Sequence, residues 1–293
     1  MSHLQAEHLN VGYDNHNIIE DLSVSIPEGQ ITSIIGPNGC GKSTLLKTIS
    51  RIMRPAQGTA YLNGKDIHQM KSKDVAKEMA LLSQSPDLPG AMTVKELVAY
   101  GRYPHQRRFM GRRKEDDEAI ERALFDTQLT ELADRPVDAL SGGQRQRAWI
   151  AMALAQETDL LLLDEPTTYL DMAHQMEVLE LLERLNREHG RTIVMVLHDL
   201  NHASRFSDYI IAMRQGSICY QDCPECVISQ EALREVFQIE ALVTEDPWTG
   251  KPVCMTYNVM KNPDKEEKVT PLTKAETASN LRTKTAPQRL STS

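Results

Sequence analysis

Several absences narrow this 293-residue chain before any motif is considered. No apolar run approaches the roughly 20 residues needed to cross a bilayer, and Met1-Ser2-His3-Leu4-Gln5 has neither the charged start nor the apolar core of a signal peptide. A role at a membrane would therefore require a partner that holds the chain there. Positive charge is not in excess: 33 Lys and Arg face 41 Asp and Glu, a formal net charge of -8. That balance argues against general nucleic-acid binding, which needs a basic face against the phosphates. An even cysteine set is also missing, and five cysteines without an export signal read as reduced thiols in a cytoplasm. Cys219, Cys223 and Cys226 are spaced C-x-x-x-C-x-x-C, but only Cys254 and no His follows them, so a tetrahedral metal site lacks a clear fourth ligand. The three read as thiols around a turn before a helix.

What is present describes a globular protein, with 40% hydrophobic residues, a mean hydropathy of -0.42 and enough length for a sizeable core. Gly36-Pro37-Asn38-Gly39-Cys40-Gly41-Lys42-Ser43-Thr44 fits G-x-x-x-x-G-K-[ST]. The apolar run Ile31-Thr32-Ser33-Ile34-Ile35 precedes it, and a helical-looking Leu45-Leu46-Lys47-Thr48-Ile49 follows. Strand, glycine loop and helix in that order predict a P-loop. Its glycines let backbone N–H groups turn towards phosphates, Lys42 supplies a point charge to the β and γ phosphates, and the Ser43 hydroxyl is a Mg²⁺ ligand. The start of the helix adds its positive dipole end. Cys40 lies inside the loop, so its thiol is expected to be alkylated in competition with nucleotide.

The remaining patterning supplies a frame for that loop. Leu4 to Val11 and Ile19 to Ile26 read as strands joined by the polar loop Asp14-Asn15-His16-Asn17, and Asn63-Gly64 reads as a hairpin turn. Met79 to Ser83 is a short apolar strand that delivers Gln84. Asp159 to Asp164 and Thr192 to Leu197 are continuous apolar runs, as in parallel strands buried on both faces, and Met176 to Leu185 has helical spacing. The fold class is α/β: a P-loop NTPase core with a mixed, mainly parallel sheet, an N-terminal antiparallel β subdomain and a helical subdomain inserted at about 86–156. The insertion carries Arg102, Arg107, Arg108, Arg112, Arg113 and Lys114, read as a solvated basic face, then Glu115-Asp116-Asp117-Glu118, suited to the first turn of a helix. The folded domain is expected over 1–260. Residues 261–293 hold seven Lys or Arg against four Asp or Glu and few large apolar groups, so they read as a disordered tail.

Two further motifs bear on chemistry. Asp164-Glu165 ends the leucine strand, where Asp164 can hold Mg²⁺ through water and Glu165 can position or deprotonate an attacking water. His198 ends the next apolar strand, where a γ-phosphate contact would lie. Leu140-Ser141-Gly142-Gly143-Gln144 has the Ser-x-x-Gln spacing of a capping box and should open a helix through Leu154 with N–H groups facing an anion.

With Gly36 to Thr44 and Leu140 to Gln144 in this order, the sequence resembles the nucleotide-binding subunit of ATP-binding cassette (ABC) transporters over roughly residues 4 to 255. The resemblance implies ATP and Mg²⁺ as cofactors, Glu165 as catalytic base and His198 as switch histidine. It makes Gln84 the link between Mg²⁺, water and the helical subdomain, Tyr13 the ring stacked on adenine, and Asp171 a D-loop carboxylate near a subunit interface. It also implies a head-to-tail dimer, in which Ser141 to Gln144 of one copy closes over ATP on the other. The implied partners are integral membrane permease subunits and, indirectly, an extracellular substrate-binding protein, with the chain peripheral on the cytoplasmic face. Thr167 to Asp171, Ser141 to Gln156, His198 to Ala203, Val98 to Pro104 and Asp246 to Pro252 look like the cassettes of bacterial ferric-siderophore, haem and vitamin B12 importers. Iron-siderophore import is the expected function. An exporter cassette or one for another cargo is the alternative. A soluble cassette acting on DNA or ribosomes would need a long coiled-coil insertion, a second cassette or a basic surface, and none is visible in the sequence.

Overall fold

Every residue of the strand Leu160–Leu163 is buried, because the sheet that holds it is covered on both faces. The structure, a computed structural model, describes residues 4–13, 16–83, 92–106 and 113–260. One compact unit spans Met1–Asn258. Strands β1 (Leu4–Tyr13) and β2 (His16–Ile26) form a hairpin, and β3 (Ile31–Ile35) enters the glycine loop ahead of helix α1 (Lys42–Ile49). Next come β4 (Gln57–Leu62), β5 (Lys65–Asp66), α2 (Ser72–Glu78) and β6 (Met79–Leu82). Helices α3 (Val94–Tyr100), α4 (Lys114–Asp126) and α5 (Gly142–Ala155) lead to β7 (Leu160–Leu163), α6 (Met172–His189) and β8 (Thr192–Val196). The chain continues through α7 (Leu200–Phe206), β9 (Tyr209–Arg214), β10 (Ser217–Asp222), α8 (Pro224–Val227), α9 (Gln230–Phe237), β11 (Ile239–Glu245) and β12 (Pro252–Val259).

The central sheet has the order β10-β9-β3-β8-β7-β6, parallel except for the β9–β10 hairpin. Its strands split their side chains between two cores with a period of two. Leu161, Leu163, Ile193 and Met195 join α3 to α7 on one face. Leu160, Leu162, Val194 and Val196 join α1 and the antiparallel sheet β2-β1-β4-β5 on the other. The leucine run therefore has no polar face. Asn63 (φ 50°) and Gly64 (φ 73°) close the β4–β5 hairpin in the left-handed conformation that such a turn demands. His16 and Asn17, expected in the preceding loop, are instead paired in β2, opposite Tyr13 and Gly12.

Between β6 and β7 the chain is helical, as expected, but its charge is not all on a solvated face. Arg102 is 4% exposed. Its Nε donates to Asp116 Oδ1 at 2.9 Å, and one Nη donates to the Ala155 carbonyl at 2.8 Å and to Glu157 Oε2 at 2.6 Å. This corrects the reading of Arg102 as a surface charge: it ties the ends of α3 and α5 to the first turn of α4. Arg113 and Lys114 border α4 as exposed residues, while Arg107, Arg108 and Arg112 lie outside the described residues. So does the stretch 261–293.

Candidate functional site

The glycine loop needs its glycines for separate reasons. A Cβ on Gly36 (φ 150°) would meet the Met213 carbonyl oxygen at 2.2 Å, so the loop runs close under β9. Gly41 (φ 105°) precedes α1 in the left-handed region, where a side chain is strained. The Lys42 ammonium is buried and donates to the carbonyls of Gly36 at 2.9 Å and Pro37 at 3.1 Å. Its charge is thus held at the centre of the turn, where backbone N–H groups and the start of α1 favour an anion.

Opposite the loop, the two carboxylates at the end of β7 diverge. Asp164 Oδ1 accepts the Ser43 hydroxyl at 2.9 Å. Burial, and then the neighbouring charge of Glu165, push the Asp164 carboxyl up; the Ser43 hydrogen bond opposes them. A cation beside it would offset that desolvation, and two hard oxygen donors suit Mg²⁺. Glu165 turns the other way from a left-handed backbone (φ 54°). Its Oε1 lies 2.6 Å from His198 Nε2, and its Oε2 accepts the Thr168 hydroxyl at 3.0 Å. A carboxylate carries no proton, so His198 Nε2 donates in this pair.

Lys42, Ser43, Glu165 and His198 share one open cleft of about 680 Å³, whose walls also include Asn38. Three further residues on its wall were not anticipated as functional. Ile18 packs over Gly41, Thr168 steadies Glu165, and Tyr169 projects into solvent with 88% of its surface exposed. Thr168 could have been suspected from its position three residues after Glu165 in a turn. Ile18 gives no local signal, since it arrives from a different sheet. Tyr13 ends β1, and its side chain is outside the described residues, as is the whole of Gln84. Cys40 departs from expectation. Its thiol is 4% exposed and faces the core, and burial pushes its pKa up. It is therefore a poor target for alkylation.

Leu140 to Gln144 do not line this cleft. Ser141 Oγ accepts from the Gln144 N–H at 3.3 Å, and Gln144 Oε1 accepts from the Ser141 N–H at 3.1 Å, the expected capping box. Leu140 and Gly143 are buried, whereas Ser141 and Gly142 are exposed. Asp171 caps α6: its Oδ1 accepts the His174 N–H at 3.0 Å, and its Oδ2 lies 2.8 Å from His174 Nδ1. The His174 ring, another functional candidate that sequence reading missed, covers Gly143. A Cβ there would sit 2.3 Å from His174 Cδ2 and 3.0 Å from its Cβ. Gly143→Ala should therefore destabilise the α5–α6 contact by about 1–3 kcal/mol, visible as a lower Tm. An unchanged Tm would mean that His174 steps aside freely.

The cysteine cluster resolves into a pair and an outlier. Cys223 and Cys226 have their Sγ atoms 3.3 Å apart, whereas Cys219 packs its side chain against the main core.

Residues 19–168 match the ABC transporter family. The chain is 58% identical over 262 residues to an iron(3+)-hydroxamate import ATP-binding protein of Bacillus subtilis (strain 168), covering 89% of this chain and 97% of that one. It is 51% identical over 255 residues to a ferric enterobactin transport ATP-binding protein of Escherichia coli (strain K12), covering 87% and 94%. Among solved structures, a metal-chelate type ABC transporter in an inward-facing conformation superposes with a TM-score of 0.74 at 28% identity, covering 88% of this chain and 97% of that one. A dimeric bacterial ABC transporter cassette gives a TM-score of 0.66 at 28% identity, covering 75% and 98%. With the glycine loop, the paired carboxylates and the capped Ser141–Gln144 turn all in place, this chain belongs to the ABC transporter family, as an ATP-hydrolysing cassette.

Proposed function

We propose that this cassette energises a membrane importer of ferric siderophores. The Glu165–His198 pair carries the mechanistic reading, because it places a carboxylate 2.6 Å from an imidazole N–H in the same cleft as Lys42. Backbone N–H groups of Gly36 to Thr44 bind the phosphates, and Lys42 exchanges its two carbonyl partners for phosphate oxygens. Ser43, Asp164 and Gln84 would hold Mg²⁺, which would supply positive charge to neutralise the phosphates. Glu165 accepts a proton from the attacking water, while His198 fixes the orientation of Glu165 and contacts the γ-phosphate. Tyr13 stacks on the adenine.

Because Leu140, Ser141, Gly142, Gly143 and Gln144 stand apart from the cleft of their own chain, they act on ATP held by a second copy. Asp171 lies near that interface. Closure of the dimer on ATP and its release after hydrolysis bias a two-state element, and the helical subdomain passes this to permease subunits at the cytoplasmic face. An extracellular substrate-binding protein is engaged only through the permease, and nucleic acid has no part. The cassette domain occupies 1–260, with 261–293 a polar tail.

The names of the relatives support the cargo class. Proteins named for hydroxamate, enterobactin and petrobactin transport are 58%, 51% and 48% identical to this chain. In cells lacking this chain, uptake of radiolabelled ferric siderophore should fall to the level of de-energised cells and be restored by the wild-type chain but not by Glu165→Gln. Undiminished uptake of every ferric hydroxamate and catecholate offered would overturn the cargo assignment.

A further inference from the structure

The turn that joins β10 to α8 takes no part in the ATP site, yet it gathers three ligand-type side chains. The Cys223 and Cys226 thiols are free and in contact at 3.3 Å, and the Asp222 carboxylate joins them, with one ligand atom from each residue within 4.8 Å of the other two. We propose that Asp222, Cys223 and Cys226 form a binding site for a borderline-soft divalent cation of the Zn²⁺ class.

The backbone holds this arrangement before any ion arrives. Asp222 Oδ1 accepts the Cys223 N–H at 2.7 Å, while the Cys223 carbonyl accepts the N–H groups of Cys226 at 3.1 Å and Val227 at 3.2 Å. Pro224 is buried at the first position of α8, and Val227 and Ile228 are anchored in the main core. Binding therefore costs little chain entropy. A Zn–S bond of about 2.3 Å in a tetrahedral site wants sulfurs roughly 3.7 Å apart, which a small rotation of either cysteine provides. Cys226 and Asp222 are exposed, so the fourth position is open to water. Cys219, turned into the core, does not contribute.

Donor chemistry separates this site from the one that binds Mg²⁺. Two thiolates select zinc-like ions and reject magnesium, whereas Ser43 and Asp164 offer only hard oxygens. Each ion bound releases the two thiol protons to solvent.

Titration of the reduced full-length chain with Co²⁺, a spectroscopic stand-in for Zn²⁺, tests this directly. One equivalent should saturate a near-ultraviolet thiolate-to-cobalt charge-transfer band, and added Zn²⁺ should abolish it. Cys223→Ser or Cys226→Ser should eliminate the band, Asp222→Asn should weaken binding with both thiols intact, and Cys219→Ser should change nothing. The proposal fails if no band develops, if the band survives loss of both Cys223 and Cys226, or if a peptide map of the anaerobically purified chain shows the two thiols already joined as a disulfide.

Discussion

Glu165→Gln is expected to lower ATP turnover by about 10²–10⁴-fold while leaving ATP binding intact. The substitution is nearly isosteric, and both neighbours can accommodate it. His198 Nε2–H can still donate to the amide oxygen, and the Thr168 hydroxyl can rotate to accept from the new amide N–H, so the cleft keeps its shape. What disappears is the only property that the proposed mechanism asks of Glu165, the ability to take a proton from water. The variant should then accumulate as an ATP-bound closed dimer, because the γ-phosphate that favours closure is not removed. Single-turnover hydrolysis measures the chemical step, and size-exclusion chromatography in ATP measures the dimer. Wild-type turnover in this variant would remove Glu165 from its role as base.

Arg102→Ala should have a comparable effect on stability, costing about 3–5 kcal/mol because it strands a buried charge. The Arg102 and Asp116 side chains are 5% and 4% exposed, and Glu157 shares the same guanidinium. Replacing both Arg102 and Asp116 by apolar residues should recover much of the loss, since the desolvation cost then vanishes along with the attraction. Urea unfolding of the two single variants and the double variant provides the cycle. Acid gives an independent check. Burial tends to raise the Asp116 carboxyl, but the hydrogen bonds from Arg102 and Arg113 prevail and hold it below its ordinary value of 3.8. A carboxyl depressed in the folded state contributes stability that is complete above the unfolded value and is lost as pH falls through the folded one. The gap between wild type and Arg102→Ala should therefore narrow as pH drops below about 3.8. A gap that stays constant into acid would show that the loss is one of packing alone.

Much of the fold is legible wherever a local pattern maps to one geometry. The leucine run of β7, the Asn63-Gly64 turn and the Ser141–Gln144 cap each have a single stable solution that neighbouring residues dictate. Strand β9 carries the same kind of buried apolar run, Ile210 to Met213, and was legible though not read, whereas β10 to β12 left no comparable mark. β10 and β11 are only partly buried, so their alternation is blurred. β12 is held by contacts that no spacing announces, such as the Asn201 side chain on the Cys254 backbone, whose N–H it accepts at 2.8 Å. Burial is the property most often misjudged. Arg102 looks like its neighbours in a basic stretch, and Cys40 looks like part of a phosphate-facing loop, yet long-range packing places both inside.

By itself, then, the sequence determined which backbone turns had to exist and which side chains stood at their ends: Lys42 and Ser43 after the glycine loop, Asp164 and Glu165 after one buried strand, His198 after another. Those assignments depend on φ preferences and on continuous apolar runs bounded by polar residues, which are local. Only the tertiary structure decided how they divide the work. Asp164 faces Ser43 and Glu165 faces His198 because β7 and β8 lie side by side in the sheet, with β8 next to the P-loop strand β3. It also decided that Cys223 and Cys226 meet while Cys219 does not, since adjacent strands and a buried turn fix which way each side chain points, and no one-dimensional spacing contains that information.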